Sequence, residues 1–293
     1  MALKSRGIEP FVTLWHWTIP VWLYDAKGFA TPFAVKRFEI FVEKIVTALG
    51  SDIKFWVTLN EPEVYLGASY IKGQWPPQKR NIFLARKVLN NLLFAHRSAY
   101  KIIKKINPEA QVGIAKNNIY FESAGGFVNN FLTNISSWFS NRLILSLIKK
   151  HQDFIGLNYY FHSRVNYGFG KNKNAKVSDL GWELYPEGLY NVLGELHKYF
   201  KGVPIYVTES GLAVRRDKNR SWFIEENFKA LRRAKGEGVK VLGYMHWSFM
   251  DNFEWDKGFW PRFGLIEIDY GTGERKIRPS ALIYKKLISE WNN

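Results

Sequence analysis

Two short apolar runs in this chain each end on a carboxylate, and that repetition is where chemistry could reside. In Ile205-Tyr-Val-Thr-Glu-Ser-Gly211, a β-branched run preceded by Gly202 and Pro204 delivers Glu209. In Phe55-Trp-Val-Thr-Leu-Asn-Glu-Pro62, a second run delivers Glu61. A single strand of this kind can simply turn its Glu to solvent. Two of them in one parallel barrel would bring both acids to the mouth formed by the C-terminal ends of the strands, where the active sites of such barrels are built. Facing carboxylates suit cleavage of a glycosidic bond. One protonates the leaving oxygen while the other attacks or activates water.

The elements that must hold these acids alternate between strand-like and helix-like pieces, the pattern of a parallel sheet with crossover helices. Strands are expected over 10–17, 53–60, 111–116, 153–160, 203–209 and 239–247. Helices are expected over 32–49, 84–106, 126–149, 187–200, 221–236 and 279–291, with residues 1–6 as a helix tail ended by Gly7. The long helix rests on Leu89, Leu92, Leu93, Ala99 and Ile102 at helical spacing. Residues 161–186 read as a polar loop. With no linker and no repeat, the expectation is one α/β domain over 1–293, of the (β/α)8 TIM-barrel type but incomplete, with about six of eight β/α units.

Composition narrows the function classes. The 293 residues contain no Cys, so thiol catalysis, disulfides and thiolate metal sites are excluded within them, and a cytoplasmic location is the expectation. No His/Asp cluster has metal-ligand spacing and no phosphate-binding loop occurs, so neither metal nor cofactor is expected. No apolar run reaches the length of a membrane span, and the N-terminus lacks the apolar core of a signal peptide. The Asn-x-Ser/Thr matches at Asn134 and Asn219 then carry no meaning for glycosylation. Lys and Arg outnumber Asp and Glu by 42 to 26, which fits either a solvated basic face or a site for a polyanion such as nucleic acid. The one dense cluster is Gly170-Lys-Asn-Lys-Asn-Ala-Lys176. Twelve Trp residues, several beside strand ends, suit a ring-lined mouth for a carbohydrate.

The motifs then resemble glycoside hydrolase family 1, the β-glucosidase, β-galactosidase and 6-phospho-β-glycosidase family. The resemblance rests on Thr58-Leu-Asn-Glu-Pro62, Tyr206-Val-Thr-Glu-Ser-Gly211 and His246-Trp-Ser-Phe-Met-Asp-Asn-Phe-Glu-Trp255. It continues through Val12-Thr-Leu-Trp-His-Trp17, Phe154-Ile-Gly-Leu-Asn-Tyr-Tyr160, Gly181-Trp-Glu-Leu-Tyr-Pro-Glu-Gly188 and Arg262-Phe-Gly-Leu265, in family order over nearly the whole chain. It implies a retaining mechanism, with Glu61 as acid/base, Glu209 as nucleophile, Asn60 on the sugar 2-hydroxyl and Tyr160 bonded to Glu209. It also implies that His16, Trp17, Asn158, Trp247, Glu254, Trp255 and Phe263 bind the substrate. Taken singly, His16 also reads as a satisfied core histidine, and Asp251-Asn252 as the cap of a turn.

Departures from the family pattern are equally legible. The family's first two β/α units, with a Gln and an Arg of the site, have no counterpart, so the chain is expected to be N-terminally truncated, with weakened activity. Edges around 11–15 and 241–247 would then be open to homo-oligomer pairing. Ser210 stands where the family has Asn, Arg278-Pro279 where it has Lys-Asp, and the segment between residues 116 and 153 is short. The 6-phospho members carry Ser and Lys where Glu254 and Trp255 stand, so the expected partner is an unphosphorylated β-linked glycoside. Nucleic acid and membrane are not expected partners. The alternatives are a carbohydrate-binding protein without turnover and a fragment that needs a second chain.

Overall fold

In a computed structural model the chain is described over residues 2–50 and 52–291. In chain order the main elements are β1 (Phe11–Thr13), α1 (Val21–Asp25), α2 (Pro32–Leu49), β2 (Phe55–Asn60), α3 (Pro62–Leu66) and α4 (Ile82–Ile106). There follow β3 (Gln111–Ser123), α5 (Phe127–Ser137), α6 (Leu143–Leu147), β4 (Ile155–Val165), α7 (Pro186–Tyr199), β5 (Ile205–Gly211) and α8 (Asp217–Gly236). The chain closes with β6 (Val241–Trp247), the strands β7 (Ile266–Ile268) and β8 (Arg275–Ile277), and α9 (Pro279–Ser289). Among the described residues β1 to β6 form one sheet in sequential order, and β7 pairs with β8 in a separate antiparallel ribbon. The pairs β1/β2, β2/β3 and β5/β6 are parallel. Strands in chain order with a helix between neighbours are the signature of the (β/α)8 barrel, and six of its strands are present among the described residues.

The chain divides into two compact units, Met1–Asn117 with Leu143–Gly156, and Asn118–Arg142 with Leu157–Asn293. In the first, α2 opens with Pro32 in its first turn, and α4 is started by Asn81, whose Oδ1 accepts the Leu84 N–H at 3.0 Å. Ala85, Val88, Leu92, Ala99 and Ile103 form the buried stripe of α4. β2 is buried along nearly its whole length, as a strand covered on both faces must be. In the second unit, Leu189, Val192, Leu193 and Leu196 of α7 and Phe223, Ile224, Phe228 and Leu231 of α8 are buried. Gly211 is required where it stands, since a Cβ there would lie 1.8 Å from the carbonyl oxygen of Trp247.

Several boundaries differ from those expected. Regular pairing in β1 is only three residues long, because the chain turns away after Trp15 and Trp17 takes a left-handed conformation (φ 75°). β3 runs on to Ser123 and β4 to Val165, so the loop expected from 161 begins later. The helix expected over 126–149 is broken by a wider turn at Trp138–Arg142. α8 starts at Asp217, four residues before the expected position, with Asp217 in its first turn. The expected N-terminal helix tail is one turn, Lys4–Arg6, closed by Gly7 at φ 70°; Met1 lies outside the described residues.

Candidate functional site

In the first unit, β2 carries Asn60 and Glu61 to its C-terminal end. The Glu61 amide donates to the Ala115 carbonyl at 2.8 Å, and its backbone is left-handed (φ 39°, ψ 59°) before Pro62 opens α3. A non-glycine residue held there costs on the order of 1–3 kcal/mol, which the surrounding contacts must offset. The Glu61 side chain is buried, and Asn117 Nδ2 donates to its Oε1 at 3.3 Å. Behind it, fully buried Lys116 binds Glu63 Oε1 at 3.0 Å and the Asn117 carbonyl at 2.6 Å, while the Asn117 amide donates to the same Glu63 oxygen at 2.9 Å. Lys116 and Glu63 thus clamp the residue whose side chain reaches Glu61.

His16 and Trp17 join Glu61 and Asn60 in this unit. Trp17 Nε1 donates to the Asn60 carbonyl at 3.0 Å, and Asn60 Nδ2 donates to His16 Nε2 at 3.0 Å. Burial lowers the His16 pKa to about 4, so the ring is neutral and carries its proton on Nδ1. The Trp17 ring lies 4.7 Å from that of Trp75. Deeper in, Thr58 of β2 donates to His96 Nδ1 at 2.7 Å, and His96 Nε2 donates to the His151 carbonyl at 2.8 Å. Burial holds His96 at a pKa of about 3, so this neutral relay ties β2 to α4.

In the second unit, Asn158 and Tyr160 point to the same side of β4, as the period of two requires. Thr208 Oγ1 donates to Asn158 Oδ1 at 2.6 Å. Tyr160 OH donates to Glu209 Oε2 at 2.9 Å. The Tyr160 ring stands 5.9 Å from Trp182, which stands 6.2 Å from buried Phe263. Trp247 ends β6. Asn252 Nδ2 donates to Glu254 Oε2 at 2.8 Å, and the Trp247 indole also donates to Glu254. Burial outweighs these donors and raises the Glu254 pKa. Trp255, like Trp17 and Glu61, is left-handed (φ 45°). Three of the eleven residues expected at the site therefore hold strained backbone.

Asp251 does far more than cap a turn. Arg278 grips it with both terminal nitrogens, at 2.9 and 3.0 Å, and Arg262 and the Gly264 amide bind it at 3.2 and 2.9 Å. Burial alone would raise its pKa; the bonds from Arg278 and Gly264 hold it below the usual range. This knot fixes the loop that carries Glu254 and Trp255, and Arg278 acts where the family pattern has Lys. Buried Ser210 accepts from Asn227 Nδ2 at 3.1 Å, so the hydroxyl is integrated behind Glu209. Lys116, Glu63, Asn117, Thr58 and Trp182 are not singled out as site residues by the sequence patterns above. The signals were present in the second acid of Asn-Glu-Pro-Glu63, a lysine inside an apolar strand, and Trp182 within its own motif.

Comparison with known proteins identifies the family of the chain. The sequence pattern of "Glycosyl hydrolase family 1" matches residues 1–129 and 142–293. The chain is 31% identical to β-glucosidase A of Thermotoga maritima, over 98% of this chain and 75% of the relative. It is likewise 31% identical to a β-galactosidase of Pyrococcus woesei, over 98% of this chain and 70% of that protein. The solved β-glucosidase from T. maritima in complex with glucoimidazole superposes with a TM-score of 0.93 at 29% identity, covering 98% of this chain and 75% of that one. A β-glycosidase from Pyrococcus horikoshii superposes with a TM-score of 0.89 at 35% identity, over 97% and 72% of the two chains.

Proposed function

Because the chain belongs to glycosyl hydrolase family 1, we propose that it is a retaining exo-β-glycosidase that cleaves terminal β-D-glucosides or β-D-galactosides by double displacement. Glu209 attacks the anomeric carbon while Glu61 gives its proton to the departing glycosidic oxygen. A covalent glycosyl-Glu209 intermediate and a free aglycone result. Glu61, now a carboxylate, takes a proton from the incoming water, which displaces Glu209 and restores both groups. This chemistry requires the two carboxyl groups about 5–5.5 Å apart.

The observation that carries the reading is the bond from Tyr160 to Glu209, because a phenol donating at 2.9 Å stabilises the carboxylate that must act as a nucleophile. The burial of Glu61 suits a carboxyl that must arrive protonated. Asn60 binds the 2-hydroxyl, and His16, Trp17 and Asn158 complete the recognition of the glycone. Glu254 accepts from free sugar hydroxyls over the Trp247 ring, with Trp255 and Phe263 beside it. An anionic Glu254 repels phosphate, so the glycone is unphosphorylated.

The test is peptide mass spectrometry after incubation with a 2-deoxy-2-fluoro-β-glucoside bearing an activated leaving group, with a full-length family member labelled in parallel. A glycosyl adduct on the peptide containing Glu209 is the expected result. Folded protein that acquires no adduct, and still binds sugar, would move the assignment to a carbohydrate-binding protein without turnover.

A further inference from the structure

α5 is built inside out. Phe127, Val128, Phe131 and Ile135 fall within an arc of roughly 100° at helical spacing, and Trp138 and Phe139 continue it in the following turn. All six are exposed, Phe127 by 86%, Phe131 by 57% and Phe139 by 58%. The inward face is polar instead. Asn129 donates to the Gly125 carbonyl at 2.8 Å, Ser137 binds Glu195, and Asn141 donates to Glu195 at 3.1 Å and pairs with the backbone of Ile119. A helix that turns its hydrogen-bonding residues inward and its large apolar ones outward is shaped for a surface that takes up apolar side chains. Residues 130–141, which carry Phe131, Ile135, Trp138 and Phe139, fall in the gap between the two stretches that match the family.

The loop after β4 supplies the charge. Asn129 Oδ1 accepts the Tyr167 amide at 2.8 Å, and the Phe169 ring lies 6.3 Å from Phe121, which holds the loop beside the start of α5. Tyr167 and Phe169 are themselves exposed, and Lys171 and Lys173 follow. No acidic residue occurs between Glu122 and Asp153, nor from Arg164 to Ser178, in a chain of net charge +16. A second copy of the same cationic surface would repel it. We infer that the outward face of α5, with the lysine loop beside it, is a docking surface for an anionic phospholipid membrane. The aromatic side chains enter the headgroup boundary and Lys171 and Lys173 bind lipid phosphates and carboxylates. This is surface contact: among the described residues no helix is long and apolar enough to cross a membrane.

Co-sedimentation with extruded vesicles tests the inference. Vesicles of equal parts phosphatidylcholine and phosphatidylserine should carry the protein down, and pure phosphatidylcholine vesicles should carry far less. Lys171→Gln with Lys173→Gln should lower partitioning on the order of tenfold. Phe131→Ser with Phe139→Ser, both exposed positions, should lower it at least as much with an unchanged circular dichroism spectrum. Failure to sediment with anionic vesicles, or binding that both double variants leave intact, would overturn the inference. A concentration-dependent dimer lost in the Phe131→Ser/Phe139→Ser variant, without vesicle binding, would assign the face to a second copy.

Discussion

The two carboxylates are held by opposite means. Glu61 is buried on a strained, left-handed residue, with a side-chain amide for a neighbour and the Lys116–Glu63 ion pair behind that amide. Glu209 is half-buried near the end of β5, where the register with β6 shifts between Val207 and Ser210; it takes a hydrogen bond from a phenol and is backed by Ser210 and Asn227. The first environment immobilises a carboxyl away from water; the second supports a charge. Two chemically identical side chains thus stand in different surroundings, as the proposed division into acid/base and nucleophile requires.

Exchanging the two acids for alanine is the strongest way to break the comparison. Glu209→Ala should lower kcat by about 10⁴-fold or more for every substrate. Glu61→Ala should lose about 10²–10⁴-fold with poor leaving groups and far less with a dinitrophenolate, which departs without a proton. Added azide then identifies each role. It should yield the α-glycosyl azide from Glu209→Ala and the β-glycosyl azide from Glu61→Ala, and the reverse pattern would exchange the assignments.

A stability measurement sharpens the contrast next. Lys116→Met leaves Glu63 without its buried cation and should cost about 3 kcal/mol in denaturant unfolding, with kcat falling as Asn117 loosens. A variant as stable as the parent would show that the clamp is not structural. Tyr160→Phe acts on the other carboxylate. Its expected cost is about tenfold in kcat, with the acidic limb of the pH–rate profile moved upward because Glu209 loses a donor to its charged form. An unmoved limb would leave the phenol a merely steric part.

The last contrast is in pH. His16 and His96, both in the Glu61 unit, have pKa values lowered by burial from 6.5 to about 4 and about 3. The unfolded chain therefore takes up protons that the folded chain refuses. Stability is full above pH 6.5 and declines as pH falls toward about 3, by on the order of a few kcal/mol for the two together. Denaturation curves across that range check the slope, and His16→Gln should flatten it. Glu254 runs the other way: burial raises its pKa, so the carboxylate proposed to accept the sugar hydroxyls is lost early on acidification. KM should rise on acidification while kcat changes less.

Much of this was written in local sequence. Apolar runs bounded by Gly and Pro located β2 and β5 with Glu61 and Glu209 at or just beyond their ends, and helical spacing placed α2 and α4 within two residues. Such patterns are legible because a strand or helix repeats its burial over neighbours in the chain. The short strands β7 and β8 escaped notice because three residues carry too little periodicity. The polar inward face of α5 was equally hidden, since its pattern is the ordinary amphipathic one with the direction reversed.

The candidate reacting groups, and the order in which the elements follow one another, were thus legible in the sequence itself. Tertiary structure decided how each group is tuned: the left-handed backbone at Trp17, Glu61 and Trp255, the grip of Lys116 on Glu63 from 53 residues away, and that of Arg278 on Asp251 across 27. These depend on which distant side chains share a buried space. Burial there strengthens a bond that is made and penalises one that is missed, so the tuning exists only once the chain has packed.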